Sequence, residues 1–166
     1  MHPVAFSGAL LHVVAHSTIK DALFLCAGAI IHQTGKTYVR DLRGIGKEMP
    51  ITIWCWTIAS LGLIGIPPTG GFVSKWYLAQ GALNLGSAAC WIGPAVLLCS
   101  ALMTAGYLLP VTIHGYFPGE APCIEGHEAP KRRWIPMLIL AVLVVLVGAF
   151  PGALVNYAQT IANLIF

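Results

Sequence analysis

The chain is 166 residues long; 57% of them are hydrophobic and only 9% are Asp, Glu, Lys or Arg, whereas soluble domains carry charge on about 25%. With a mean hydropathy of +0.79, a core of this size cannot hide so much apolar surface from water, so lipid is the expected solvent. The net charge of +3 is spread over connecting segments and forms no basic stripe, which argues against nucleic acid as a partner.

The first predicted helix covers about 5–33 and stops at Gly35. His32 at its end is placed to cap helix carbonyls. A charged connector, GKTYVRDLRGIGKEMP, leads to an uncharged run over 51–68 that Pro67 and Pro68 break or kink. The next stretch, TGGFVSKWYLAQGALNLG, reads as a short or interrupted membrane helix over about 71–86. A clean apolar span over 89–113 follows. A loop rich in Pro, Gly and charge then leads to the last span, 134–155. Lys131, Arg132, Arg133 and Trp134 stand at its start as a membrane-edge anchor. The expected architecture is all-α and integral to the membrane, with about five transmembrane helices, one of them interrupted by Pro and Gly. Residues 1–156 form the membrane domain and 157–166 a short interfacial segment.

The five cysteines, Cys26, Cys55, Cys90, Cys99 and Cys123, form no CxxC pair or framework spacing, so they read as small hydrophobes. No basic n-region precedes the first apolar helix, so no cleavable leader is expected and the spans themselves serve as the address.

Within the first helix, HVVAHSTIKDALF places His12, His16 and Lys20 four residues apart. Each step of four turns about 400°, so the three share one stripe about 12 Å long. Charge at the bilayer centre costs about 2.5–3.5 kcal/mol and is rare without a task. Lysine in a low-dielectric site and histidine near neutral pH can both exchange protons. The competing reading has Lys20 and Asp21 snorkelling from a helix end while the histidines bond to neighbouring helices. A shared metal ion is disfavoured, because Val13 stands where HExxH has glutamate. Asp21 points about 100° from Lys20, so as a counter-charge it needs a cation from elsewhere. Lys75 follows the breakers Pro67, Pro68, Gly70 and Gly71. Broken membrane helices line cavities and ion pathways, yet Trp76 and Tyr77 beside Lys75 are also typical interface residues.

HVVAHSTIKDALFLCAGAIIHQTG, then RDLRGIGKEMP, then GLIGIPPTGGFVSKWYL resemble, in that order, the antiporter-like membrane subunits of respiratory complex I, of Mrp-type antiporters and of membrane-bound hydrogenases. The resemblance implies the C-terminal half of such a subunit, equivalent to the second of two inverted repeats. It implies that His12, His16 and Lys20 belong to a central hydrophilic axis, and that Lys75 is the lysine of the broken helix. Asp21 departs from the pattern, standing where a small or apolar residue is expected. The first repeat is outside the match, so the chain alone is not expected to move ions.

Three functions follow from the resemblance. The first is a proton-translocating module of a complex I-like NADH:quinone oxidoreductase or of a membrane-bound hydrogenase. The second is a subunit of an Mrp-type cation/proton antiporter. The third is a structural remnant that transports nothing. No residue pattern marks a redox catalytic site, a cofactor or a metal. Other membrane subunits and the bilayer are the expected partners, and a prokaryotic cell (inner) membrane the expected location.

Overall fold

The computed structural model describes residues 3–84, 86, 88–117 and 127–165; Cys123 and most of the Pro- and Gly-rich loop lie outside them. The described residues form seven α-helices and two short 3-10 turns. The helices are α1 (Pro3–Thr34), α2 (Ile45–Glu48), α3 (Pro50–Ile64), α4 (Gly70–Leu83), α5 (Ile92–Tyr116), α6 (Lys131–Ala149) and α7 (Gly152–Ile165). Three of them, α1, α5 and α6, are long and apolar enough to cross a membrane. The 15 residues of α3 and the 14 of α4 reach only about 22 and 21 Å at 1.5 Å per residue, short of a hydrocarbon core of about 30 Å.

The breaks have local causes. Helix α3 ends at Gly65, whose φ of +91° only glycine adopts cheaply. The amides of both Gly65 and Ile66 bond to the Leu61 carbonyl at 3.0 Å, as expected for a left-handed helix terminus. Pro67 and Pro68, joined by a cis peptide, offer no amide to continue the helix. Thr69 donates its hydroxyl to Ile66 O at 2.7 Å before α4 begins at Gly70. The stretch 134–155 is likewise not one helix: α6 ends at Ala149 and α7 begins at Gly152, with Pro151 at the break, again lacking an amide to donate.

Helix α1 is the centre of the bundle. It packs most closely on α4 and touches α3, α6 and α7 as well. Its C-terminal half joins Cys26, Ala29 and Ile30 to Met49 and Ile53 at the start of α3 and to Met137 and Ala141 of α6. Its middle packs Ala15, Ile19 and Ala22 against Ala59, Leu108 and Val144. Near its start Leu11 meets Val155 and Ala158 of α7. In lipid, helices associate through close van der Waals packing, which favours small residues at crossings. Gly8 illustrates this: a Cβ there would stand 2.7 Å from Leu78 N and 2.9 Å from Tyr77 C. The α1–α4 crossing therefore requires a residue without a side chain.

At the other end of α1, Gln33 Nε2 donates to the carbonyls of His127 and Glu128, both at 3.3 Å. His32 does not cap helix carbonyls: its Nε2 accepts from Arg133 Nη2 at 3.1 Å. The last carbonyls of α1 are met instead by Gly35 N on Ile31 O at 2.8 Å and Thr34 Oγ1 on Ile30 O at 2.8 Å. Glu128 reaches the start of α3. Its carboxylate accepts from Ile51 N at 2.8 Å and Thr52 Oγ1 at 2.6 Å, supplying a cap that the sequence just before α3 lacks.

Candidate functional site

Lys75 sits one turn into α4, opposite the open end of α3. Its Nζ donates to Leu63 O at 2.9 Å and Ile64 O at 2.8 Å. These are carbonyls of the last turn, where the helix dipole is negative and intrahelical amides have run out. An ammonium has three donors, so one remains beyond these two bonds. The break that frees the carbonyls is thus what gives Lys75 its seat.

Beside it, buried Ser74 donates its hydroxyl to Gly71 O at 3.1 Å and lies 2.9 Å from His12 Nδ1. Ser74 has a single hydroxyl proton. With that proton on Gly71, Nδ1 of His12 is the donor to Ser74, and Nε2 of the neutral ring keeps its lone pair. One turn along α1, the ring of His16 has its centroid 5.6 Å from that of His12 at an angle of 34°. Gly70 and Gly71, both buried, let the start of α4 approach its neighbours. A Cβ on Gly70 would meet Val147 Cγ1 at 2.7 Å and Ala15 Cβ at 3.5 Å.

These groups border one cavity of about 150 Å³. His12, His16 and Lys20 line it from α1, Lys75 from α4 and Leu63 from α3. The opposite wall is Ser100, Thr104 and Tyr107 of α5. The cavity opens outward, where His16 is exposed and Tyr107 is 55% exposed. All four residues of the sequence-derived stripe and broken helix therefore face one space, large enough for several waters.

One point differs from the sequence reading. The span over 89–113 is not featureless: Ser100, Thr104 and Tyr107 recur at i, i+4 and i+7, the spacing of one helix face, and that periodicity was the available signal. Asp21 is exposed, does not line the cavity, and makes no ion pair among the described residues.

Apolar helices around a polar centre, with a broken α3–α4 pair holding a lysine, define an all-α integral membrane subunit. Residues 2–104 match the family described as "NADH:quinone oxidoreductase/Mrp antiporter, TM", and the chain belongs to that family. NADH-quinone oxidoreductase subunit N of Desulforudis audaxviator is 39% identical over 166 residues, covering 92% of this chain and 32% of that protein. F(420)H(2) dehydrogenase subunit L of Methanosarcina mazei is 37% identical, covering 84% of this chain and 22% of that protein. Na(+)/H(+) antiporter subunit A1 of Staphylococcus aureus is 30% identical, covering 94% and 21%. The chain thus spans between about a fifth and a third of the length of these relatives.

The fold agrees. A chain of the Mrp complex from Dietzia sp. superposes with a TM-score of 0.84 at 23% identity, covering 98% of this chain and 38% of that one. A chain of respiratory complex I from Thermus thermophilus gives 0.81 at 25%, covering 99% and 35%. The protein is an integral membrane protein, and the relatives named here are bacterial and archaeal.

Proposed function

We propose that this chain is a proton-translocating module of a complex I-like or membrane-bound hydrogenase-like assembly. Protons pass between Lys20 and Lys75 through His12, His16 and water in the cavity they share. The observation that carries this reading is that cavity, which gathers two lysines and two histidines from two helices. Nε2 of His12 can take a proton while Nδ1 stays bonded to Ser74. A proton arriving on one lysine raises the repulsion on the other and favours its release, since like charges interact strongly at low dielectric. Lys75 can give up a proton and still hold both α3 carbonyls with the two remaining N–H groups. Asp21, facing outward, is a counter-charge for a cation on another segment.

The redox chemistry that drives the step belongs to other subunits, since this sequence carries no quinone, flavin or iron–sulfur motif. Residues 1–156 act as the membrane domain within an assembly of other membrane subunits and lipid, and ion movement by this segment alone is not expected. The test is Lys20→Ala in the complete assembly, reconstituted into vesicles. Proton uptake is expected to be lost while the upstream redox reaction and subunit content persist. Normal uptake with full assembly would overturn the reading.

The 30% identity to an Na(+)/H(+) antiporter subunit over 94% of this chain supports a second reading, a subunit of an Mrp-type cation/proton antiporter. Co-purification from native membranes separates the two: redox subunits favour the first, small antiporter subunits the second.

A further inference from the structure

A second cavity, about 360 Å³, lies between α1 and α6 near the charged ends of these helices. Its floor is apolar: Phe24, Leu25, Gly28 and Ala29 of α1 and Pro136 of α6. Its mouth is polar and carries two guanidinium groups: His32, Arg132 and Arg133 line it. No carboxylate lines it among the described residues, and neither arginine forms an ion pair among them. The nearest acidic side chain in sequence, Glu128, is taken up by the start of α3. Arg133 is directed toward the cavity by its 3.1 Å bond to His32 Nε2, and Gln33 ties the same end of α1 to the chain leading into α6. From His32 to Phe24 is eight residues, about 12 Å along the helix, long enough to take a headgroup and the start of an acyl chain.

We propose that this cavity binds one anionic phospholipid, its phosphate held by Arg132 and Arg133 and the start of one acyl chain laid along Leu25, Gly28 and Phe24. Guanidinium groups match phosphate with paired hydrogen bonds, and basic pockets between membrane helices select anionic headgroups. The apolar floor separates a lipid from free phosphate, which would leave it uncovered. Gly28 keeps the floor open: nothing lies within 4 Å of a Cβ built there, so a larger side chain can occupy the groove without displacing the bundle.

The test is the full chain in nanodiscs holding equal phosphatidylglycerol and phosphatidylcholine, with retained lipid read by mass spectrometry after mild detergent extraction. Wild type should retain phosphatidylglycerol preferentially. Loss of each arginine should weaken that preference about fivefold, so R132Q/R133Q should bring it close to parity. Gly28→Leu should also lose the lipid with both arginines present, and Lys131→Gln, which does not line the cavity, should retain it. Circular dichroism confirms that each variant stays helical, and inorganic phosphate should not compete. No preference in wild type would overturn the proposal, as would retention by Gly28→Leu, which would reduce the effect to diffuse surface charge. Loss by Lys131→Gln equal to that of R132Q/R133Q would overturn it too.

Discussion

His12 on α1 and Ser74 on α4 meet at 2.9 Å across 62 residues of sequence. The bond joins the histidine stripe to the helix that carries Lys75. It also favours one histidine tautomer, with Nδ1 donating, because Ser74 directs its one hydroxyl proton at Gly71 O. Nitrogen NMR of histidine-labelled protein above neutral pH should show Nδ1 of His12 protonated and Nε2 bare. Ser74→Ala should release that preference and lower stability by about 1–3 kcal/mol, the net worth of the two hydrogen bonds it removes. An unchanged tautomer in Ser74→Ala would contradict the assignment.

Gly8 sets how closely α1 and α4 approach. Gly8→Ala would put a Cβ 2.7 Å from Leu78 N, and backbone there cannot yield without separating the helices. We expect a loss of about 1–3 kcal/mol, the usual range for overpacking. Thermal unfolding in detergent measures it. Gly106→Ala is the comparison, since a Cβ there meets nothing within 4 Å, and it should be close to neutral.

Glu128 ties the last long helix to the first amides of α3. Glu128→Ala removes its bonds to Ile51 N and Thr52 Oγ1 and leaves a helix start uncapped. The expected cost is about 0.5–2 kcal/mol, read as a lower unfolding temperature. Proton transfer in assemblies that survive purification should be little affected, because Glu128 does not line the lysine–histidine cavity.

The α5 wall has a testable share in the same cavity. Tyr107→Phe removes one hydroxyl from its lining while keeping the ring. It should slow proton transfer in the assembly without abolishing it and leave stability nearly unchanged, because Tyr107 is 55% exposed. A complete block would give Tyr107 a larger role than a wall residue.

Much of the site was legible because its residues violate their surroundings. Charged and titratable groups at a spacing of four inside an apolar run announce a stripe, and Pro67–Pro68 announces a break. The seat of Lys75 was not legible. It depends on Gly65 turning left-handed and on α4 folding back, so that Leu63 and Ile64 carbonyls meet Nζ. That arrangement brings together residues 11 and 12 positions apart through tertiary structure. Ser100, Thr104 and Tyr107 were hidden for a different reason: each is a mild polar residue that a membrane helix tolerates alone, and only their common face makes them a wall. Glu128 reads as one charge in a polar loop, and its capping of α3 depends on contacts across 76 and 77 residues.

The most direct test is Lys75→Arg in the complete reconstituted assembly, beside Lys75→Ala. Arginine can still donate to Leu63 O and Ile64 O but does not give up its proton. Alanine leaves both carbonyls without their donor, at a cost of about 1–3 kcal/mol for each one left unsatisfied. The account predicts that Lys75→Ala loses both stability and proton translocation. Lys75→Arg should assemble and unfold near the wild-type temperature while translocation falls to background. Wild-type translocation by Lys75→Arg would make Lys75 a structural cap for α3 and remove it from the proton path.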